Sequence, residues 1–318
     1  MRTLMLCLLA LVAFALPASA AGITLPYGTG DGQVAFFNAK NHPESEELHP
    51  WGPQSFRCAP DGSFWVADSV ANRILHLSAD GKVQATLPVA SAPGGLIADL
   101  ALAAGPDGQV TSLFVLSGQG NLVVELGPDG TQKRAFGGEG DAAGTFLQPE
   151  LIEVNAAGQI FVADRARQSL TIFTPTGQVL RDLHWEWSGF CLDPAGNLCR
   201  LRWDEPASVT HLIIETPDGK PIRDTVLDIG DHTDPRLWRV TAAGEALVSW
   251  IPGTGFAGFF PIATFDTAGQ KTVTAKIVPP VAMNRFLDQA TDGSLVHSVA
   301  NYDDAPDGAF RLEPFSLK

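Results

Sequence analysis

Beyond residue 20 the sequence has no apolar run long enough to cross a bilayer, which takes about 20 residues. It also lacks a phosphate-binding glycine loop, a GxSxG motif and a CxxC pair. No histidine pair stands at a zinc-ligand interval with a third ligand nearby, and no loop has calcium-loop spacing. The sequence therefore gives no signal for a nucleotide site, a dithiol or a metal centre. A serine nucleophile stays open, because a catalytic triad is assembled in space and not along the chain.

Basic residues are scarce as well. The chain of 318 residues has 21 Lys and Arg against 35 Asp and Glu, a formal net charge of −14. This balance disfavours nucleic acid and anionic membrane surfaces as partners, because both need a basic footprint. It is compatible with cations or basic partners, although an acidic surface also serves solubility alone.

The first twenty residues, MRTLMLCLLALVAFALPASA, resemble a secretory signal. Arg2 gives the positive start, residues 4–16 the apolar run, and Ala18-Ser19-Ala20 the small-residue cleavage motif. A retained membrane anchor is the alternative, but the run is shorter than a bilayer span needs. Cys7 lies too early for a lipoprotein cleavage site. We therefore expect a signal peptide over residues 1–20 and a secreted, periplasmic protein.

Turn glycines recur along the rest of the chain at spacings of 46, 50, 38, 48 and 49 residues. The six positions are Gly62, Gly108, Gly158, Gly196, Gly244 and Gly293. Each glycine follows a strand pattern, such as LIEVNAAG, and precedes a second strand pattern, such as IFVAD. A polar loop then leads to a third strand, and another turn glycine leads to a fourth strand. Four short strands in each period of this length are typical of a propeller blade.

The sequence thus predicts an all-β fold, a six-bladed β-propeller with four-stranded blades, as one domain over residues 21–318. The six units fall near 48–87, 92–136, 144–183, 184–229, 234–278 and 280–318. The last unit ends on its third strand, AFRLEPFSL, so the ring must be closed by pairing the N- and C-terminal segments. Two N-terminal stretches are candidates for the missing strand, GITLPYG and GQVAFF.

Two of the blades resemble the NHL repeat, a propeller-blade family. The first matches through Pro53, the Asp61-Gly62 turn, WVAD and NRI, and the third through Pro149, Gly158, FVAD and Gly177. The resemblance implies a propeller of the secreted bacterial type. Propellers of this kind include binding modules, and related six-bladed folds include metal-dependent lyases and lactonases. Fold membership alone does not choose between these classes.

The innermost strand of each blade carries the candidate site residues. Six residues before each turn glycine stands an apolar row, which should pack between blades: Phe56, Leu102, Ile152, Phe190, Trp238 and Leu287. The rows on either side of it hold polar and charged residues that should line the central channel: Gln54, Arg57, Glu150, Glu153, Arg236, Arg239, Arg285 and Asp288.

Two interpretations of these channel residues are open. The acids Glu150, Glu153 and Asp288 and the four arginines form a structural network, because a lone buried charge is costly. Alternatively, the arginines at one mouth hold an anionic ligand such as a carboxylate. Both can hold, since a pocket on the axis needs polar walls.

The loops that join blades are acidic and contain His42, His49 and His232. Loops of this composition are able to bind Ca²⁺ or Zn²⁺, but we expect no cofactor. Glu150, Asn284 and Asp288 partly resemble the metal-binding residues of the lactonases, but the arginines beside them would repel a divalent cation.

Two aspartates, Asp68 and Asp164, stand just after the second strands of their blades. They are better explained as acceptors of backbone N–H bonds in the following loops than as ligands.

Aromatic residues cluster in the fourth and fifth blades: Trp185, Trp187, Trp203, Trp250, Phe256, Phe259 and Phe260. If exposed, they would form a binding patch. Otherwise they cover the ends of the blades.

Cysteines are few after the signal peptide. Cys191 and Cys199 flank the turn CLDPAGNLC and should face each other across a hairpin, within disulfide reach. We predict a strained bridge between them, with two buried thiols as the alternative. Cys58 should remain a free core cysteine.

The function that fits these observations is a binding or scaffold module for a protein or small-molecule ligand, acting as a monomer. The alternative is a metal-dependent propeller enzyme, a lyase or a lactonase-like hydrolase, which would need a divalent ion at the axis.

The signal peptide gives the first testable prediction. Expression with export to the periplasm should yield a chain that begins at Ala21, as read by N-terminal sequencing and intact mass. A periplasmic product that still begins at Met1 would contradict the cleavage site, and a chain that stays with the membrane fraction would indicate the retained anchor.

Overall fold

The structure, a computed structural model of the chain, describes residues 22–43, 49–90, 96–280 and 283–317. Within these ranges the chain forms strands and turns, and its 24 strands make six antiparallel sheets of four strands each. This confirms the predicted all-β, six-bladed propeller. The predicted signal peptide, residues 1–20, lies outside the described residues. No helix of the described ranges has the length and apolarity to cross a membrane.

In each of the first five blades, four consecutive strands follow one another from the axis outward. Blade one has β2 (Ser55–Cys58), β3 (Phe64–Asp68), β4 (Arg73–Leu77) and β5 (Val83–Pro88). Blade two has β6 (Ile97–Ala104), β7 (Val110–Ser117), β8 (Leu122–Leu126) and β9 (Gln132–Gly137). Blade three has β10 (Pro149–Val154), β11 (Ile160–Asp164), β12 (Ser169–Phe173) and β13 (Val179–His184).

The second half of the ring repeats this order. Blade four has β14 (Phe190–Leu192), β15 (Leu198–Asp204), β16 (Val209–Glu215) and β17 (Pro221–Leu227). Blade five has β18 (His232–Val240), β19 (Ala246–Pro252), β20 (Phe260–Phe265) and β21 (Lys271–Ile277). Blade six has β22 (Leu287–Gln289), β23 (Leu295–Val299), β24 (Ala309–Phe315) and, from the other end of the chain, β1 (Ile23–Pro26).

The turn glycines close the first hairpin of each blade. Gly62 has a φ of +84°, and its N–H donates to the carbonyl oxygen of Ala59 over 3.0 Å. Gly158 repeats this geometry in blade three with a φ of +76°. A residue with a Cβ is strained in this left-handed conformation, which explains why the period of the sequence is marked by glycine.

The apolar row predicted on the inner strands forms part of the core between blades. Phe56, Ile152, Phe190, Trp238 and Leu287 are all buried. The sixth member of the row, in blade two, is half-buried. Each inner strand therefore keeps its polar positions for the axis, because the apolar ones are taken up between sheets.

The ring is closed by GITLPYG. Its strand β1 pairs antiparallel with β24, with Ile23 opposite Leu312 and Leu25 opposite Phe310. The other candidate, GQVAFF, folds back along this closure: the Val34 N–H donates to the Pro26 carbonyl oxygen over 3.0 Å, and Val34 is fully buried. Both stretches thus serve the closure, and the first supplies the fourth strand.

Asp68 and Asp164 stabilise loops, as expected. A carboxylate oxygen of Asp68 accepts the N–H of Ala35 over 2.9 Å, and Arg73 pairs with the other oxygen over 2.7 Å. Burial raises the pKa of Asp68 to about 6, against the opposing effect of Arg73. Asp164 accepts three backbone N–H groups of the flanking loops. Neither aspartate belongs to a ring of ligands.

The closure strand gives the second prediction. Leu25 is 2 % exposed, so Leu25→Ala should lower the free energy of unfolding by about 2–4 kcal/mol through the cavity that it leaves. The outward-facing neighbour Thr24 is the control, and Thr24→Ala should change that free energy by less than about 0.5 kcal/mol. Urea titration followed by tryptophan fluorescence measures both. Equal effects of the two variants would mean that β1 does not close the ring.

Candidate functional site

Four charged side chains from four blades meet at the axis. They are Arg57 of blade one, Asp99 of blade two, Glu153 of blade three and Arg285 of blade six. One oxygen of Glu153 lies 3.1 Å from an Nη of Arg57 and 3.1 Å from an Nη of Arg285. The same Arg285 nitrogen lies 3.0 Å from Asp99. We call these four residues the axial ion network.

Backbone groups and one hydroxyl also bond to this network. Arg57 donates through Nε to the carbonyl oxygen of Leu100 over 2.6 Å and through Nη2 to that of Ile152 over 2.8 Å. Asp99 accepts the Ile152 N–H over 3.0 Å and the hydroxyl of Ser55. A buried ion pair is stable when further hydrogen bonds compensate its charged groups, as these do here. Arg57, Glu153 and Arg285 are therefore paired with opposite charges within the protein, as the interpretation of a structural network requires.

The pKa shifts agree with this geometry. Burial alone would raise the pKa of Asp99, but the charges of Arg285 and Arg57 outweigh it and hold the pKa below its ordinary value. Burial alone would lower the pKa of Arg285. The negative charges of Asp99 and Glu153 outweigh burial, so the pKa of Arg285 is raised. Both groups stay ionised around neutral pH.

Sequence reasoning missed Asp99. Counting back from the turn glycine of blade two placed Leu100 in the channel row. A register shift between Ile97 and Asp99 marks a β-bulge in β6, which breaks the alternation of faces at this point. The one available signal was an isolated acid in the apolar stretch GGLIADLALAA, because such a charge needs a buried partner.

Two other predicted channel residues lie outside the network. Asp288 accepts the N–H of Cys58 over 2.8 Å, and burial raises its pKa. Arg239 lies near Cys191 and Glu245, and burial lowers its pKa. Its Nε and Nη1 atoms have no hydrogen-bond partner among the described residues. The expected pairing of Arg239 with the channel acids is therefore not formed.

Above the network the channel opens into two cavities of about 210 and 230 Å³, both lined by Glu150 and Arg165. Arg236 lines the first cavity, and Gln54 and Asn284 line the second. We call the residues around these two cavities the channel mouth. The buried Oε2 of Glu150 has no hydrogen bond among the described residues, and the nearest Nη of Arg165 is 3.9 Å away.

Trp187 holds Arg165 in place. The guanidinium lies over the Trp187 ring, 5.3 Å from its centre, and the indole N–H donates to the Arg165 carbonyl oxygen over 2.9 Å. Half of the Arg165 side chain is exposed. Its guanidinium thus has a fixed position and donors that the protein leaves open, which suits a bidentate contact with a carboxylate.

Arg236 is held more tightly than Arg165. It donates to the carbonyl oxygen of Asn284 and lies over the ring of Trp238, 4.9 Å from the ring centre. Burial lowers its pKa, and the charge of Glu150 works the other way. Asn284 is fixed too, since its side-chain amide donates to the Ala98 carbonyl oxygen over 2.9 Å. The mouth is therefore built of side chains in set positions.

The cysteines follow the predicted register but are not bonded. Cys191 faces Cys199 across the first hairpin of blade four, and both are buried free thiols. The structure thus has the alternative arrangement and not the predicted disulfide. The pair lies at a hydrogen-bonded position of the ladder, where the backbones are wider apart than at the other positions and a bridge would be strained. Cys58 is also free, as expected.

The aromatic cluster of blades four and five divides in two. Trp185 and Trp250 are buried, whereas Trp187, Trp203 and Phe256 are each about half exposed. His232, predicted to lie in an acidic loop, is the first residue of β18 and lies beside Trp203 with their ring centres 5.7 Å apart. Within the described ranges, no three His, Cys, Asp or Glu side chains are placed to hold a metal ion.

No known sequence family and no curated protein matches this chain. Solved structures resemble it in fold. Hydrazine synthase of Kuenenia stuttgartiensis superposes with a TM-score of 0.55 at 12 % identity, over 84 % of this chain and 96 % of that one. Virginiamycin B lyase of Staphylococcus aureus gives a TM-score of 0.54 at 12 % identity, over 83 % and 95 %. A Bacteroides caccae protein of unknown function gives 0.50 at 15 % identity, over 71 % and 82 %. At these identities the likeness shows the fold alone.

The axial ion network gives the third prediction. Asp99→Asn should lower the free energy of unfolding at pH 7 by about 3–5 kcal/mol, since it leaves Arg285 with one buried partner fewer. Because the folded protein lowers the pKa of Asp99, the stabilisation that its charge provides is complete above about pH 4 and is lost as the pH falls through the folded pKa. The difference between wild type and variant should therefore narrow below about pH 4.

Urea unfolding between pH 7 and pH 3 measures this difference. The exposed pair of Asp80 and Lys82 serves as the control, and Asp80→Asn should leave the urea midpoint at pH 7 unchanged. An Asp99→Asn variant as stable as the wild type at pH 7 would show that the network does not hold the axis together.

Proposed function

We propose that this protein is a secreted, periplasmic binding module of the NHL-like propeller type, whose channel mouth takes a ligand that carries a carboxylate beside a hydrogen-bond donor. Arg165 would bind the carboxylate and Glu150 the donor group. The ligand is a small molecule or the end of a protein segment, because both can present this pair of groups.

One observation carries the proposal. At the mouth, a buried carboxylate oxygen of Glu150 has no hydrogen bond, and an Nη of Arg165 lies 3.9 Å from it. A salt bridge with good geometry would bring these atoms to about 2.7–2.9 Å. A buried acceptor without a donor is costly, and a ligand N–H or O–H would remove that cost.

The axial ion network supports the same location. Because Glu153 pairs with both Arg57 and Arg285, and Arg57 also bonds to the backbone, these side chains occupy the axis below the mouth. A ligand would therefore rest on this network and not pass through the ring. Sites of this kind, concave with a few fixed polar groups, are the usual location of small-molecule binding.

The alternative function, a metal-dependent lyase or lactonase, differs from a binding module in that it requires a bound metal ion. Elemental mass spectrometry on the purified mature protein should find less than about 0.1 equivalent of calcium or zinc per chain. About one equivalent, retained after dialysis and lost on chelation, would favour the enzyme, because a catalytic ion is held by several protein ligands.

The fourth prediction tests the mouth with two matched probes. N-acetylglycine has a carboxylate next to an amide N–H, and N-acetylglycine amide lacks the carboxylate. We expect the acid to bind more tightly than the amide, by about tenfold, which corresponds to one charge-assisted pair. Arg165→Gln should remove this preference, and Glu150→Gln should weaken both probes. Titrations followed by NMR shifts of the tryptophan indole N–H groups give the dissociation constants.

Arg311 is the control for Arg165. It is another half-exposed arginine paired with an acid, Glu313, and it lies on the outer part of blade six. Arg311→Gln should leave both dissociation constants unchanged. If the two probes bind equally to the wild type, or if Arg311→Gln weakens the acid as much as Arg165→Gln does, the mouth is not the carboxylate site.

A further inference from the structure

Next to the channel mouth, a larger cleft opens between blades four and five. It has a volume of about 480 Å³, and two half-exposed indole rings, Trp187 and Trp203, line it together with Glu186, Ser188 and Asp234. Trp187 and Asp234 also line the mouth, so the two spaces are neighbours on one face of the ring. We call this space the indole cleft.

The backbone of the indole cleft departs from the regular pattern of the ring. In the part of the chain that the structure describes, six residues other than glycine have a positive φ. Four of them precede the third strand of blades one to four, where the same turn repeats: Asn72, Asn121, Gln168 and Ser208. The other two are Trp187, with a φ of +58°, and Asp234, with a φ of +45°. Such conformations are unfavourable for a bulky residue and persist where the surroundings fix them, often at ligand sites.

The polar atoms of the cleft leave acceptors open. Glu186 uses Oε2 to accept the N–H of Trp203 over 2.7 Å, and its other oxygen has no protein partner among the described residues. The carboxylate of Asp234 makes no hydrogen bond within those ranges. Ser188 is 6 % exposed, and its hydroxyl has no partner there either.

His232 is bonded within the protein through both ring nitrogens. Its Nδ1 lies 2.6 Å from the carbonyl oxygen of Gly230 and must donate, since a carbonyl oxygen only accepts. Its Nε2 lies 2.8 Å from the hydroxyl of Thr210. The described lining of the cleft includes neither lysine nor arginine.

Two indole rings, two carboxylates and the absence of a basic residue in that lining favour a positively charged ligand group. A cation binds over the face of an indole ring, and tryptophan is the best of the aromatic side chains for this contact. The guanidinium of Arg165 lies over the ring of Trp187, which leaves the ring of Trp203 for the charged group of a ligand. The net charge of −14 acts in the same direction at longer range.

We propose that the indole cleft binds the cationic side chain of a peptide ligand, an arginine or a lysine. Its alkyl part would lie against Trp187 and Trp203, and its charged group would face Glu186 and Asp234. This inference deepens the proposed function, since cleft and mouth would hold two parts of one ligand: the basic side chain and the carboxylate.

The test uses a matched pair of probes that lack a free carboxylate and carry the same amide groups, so any contact of those groups with the mouth is the same for both. Nα-acetyl-L-arginine amide is positively charged, and Nα-acetyl-L-citrulline amide has nearly the same shape without the charge. NMR titration follows the indole N–H signal of Trp203, which Trp203→Phe assigns. We expect the arginine probe to bind about tenfold more tightly than the citrulline probe. Raising NaCl to about 0.5 M should weaken the arginine probe, because salt screens exposed charges.

Two variants of the cleft are designed to keep the fold. Glu186→Gln retains an oxygen for the Trp203 N–H and removes the charge. Asp234→Asn keeps the shape, and asparagine tolerates a positive φ. Each should weaken the arginine probe by about two- to fivefold, the range of exposed ion pairs, and the double variant should bring it close to the citrulline probe. Thermal unfolding of each variant checks that the fold is intact.

Glu150→Gln separates this inference from the proposed function. Glu150 lines the mouth but not the cleft, so this variant should affect both probes alike and leave the preference for the arginine probe over the citrulline probe within about twofold of the wild type. Loss of that preference in this variant would place the cation at the mouth and overturn the inference. So would equal binding of the arginine and citrulline probes, or no shift of the Trp203 signal with either. Binding of cellotriose at Trp203 in place of the arginine probe would overturn it in favour of a carbohydrate site.

Discussion

The axial ion network is the contact on which the centre of this protein depends. A propeller brings six inner strands together, and polar positions of these strands face a space from which water is largely excluded. Here one acid from blade two and one from blade three meet one arginine from blade one and one from blade six. Removing one member of such a set leaves a buried charge without its partner, which costs far more than an exposed pair would. The network therefore fixes the spacing of four blades and closes the channel at the same time.

Closure of the channel determines where a ligand can bind. The Nε and Nη2 atoms of both network arginines are bonded within the protein: those of Arg57 to Glu153 and two backbone carbonyl groups, and those of Arg285 to Asp99 and Glu153. At the mouth, Arg165, which comes from the loop after β11, is half exposed and has side-chain donors open to a ligand. Blades four and five stay outside the network. The position equivalent to Gln54, Glu150 and Arg285 is a small residue in blade four, Ser188, and the indole cleft opens beside it.

Much of the fold could be predicted from the sequence, because turn glycines at a positive φ recur with the period of the blade. The choice between the two closing segments could not, since both are short stretches rich in apolar residues and both are used: β1 pairs with β24, and Val34 packs beside it. The register of Cys191 and Cys199 followed from counting around their turn, but register alone does not decide whether a bond forms.

The candidate site was predicted less completely than the fold, because Asp99 and Arg165 are placed by features that the sequence pattern does not reveal. Counting along inner strands assumes an unbroken alternation of faces, and the bulge before Asp99 breaks it. Arg165 stands in a loop, and its place at the mouth depends on Trp187 from the next blade, a contact that no local pattern reveals. The strand positions Glu150 and Arg236 were found because a charge on an inner strand is informative by itself.

The central claim is that the arginines of the axis are bound within the protein, whereas Arg165 is open to a ligand. The most direct measurement is the exchange rate with water of the Nε–H protons of arginine, by ¹⁵N NMR near pH 7, with assignments from single Arg→Lys variants. The account predicts slow exchange for Arg57 and Arg285, whose Nε–H groups donate to Leu100 and Asp99, and fast exchange for Arg165. Equal exchange at all three would contradict it, because the axis would then be open to water and the mouth would not be the place where binding is concentrated.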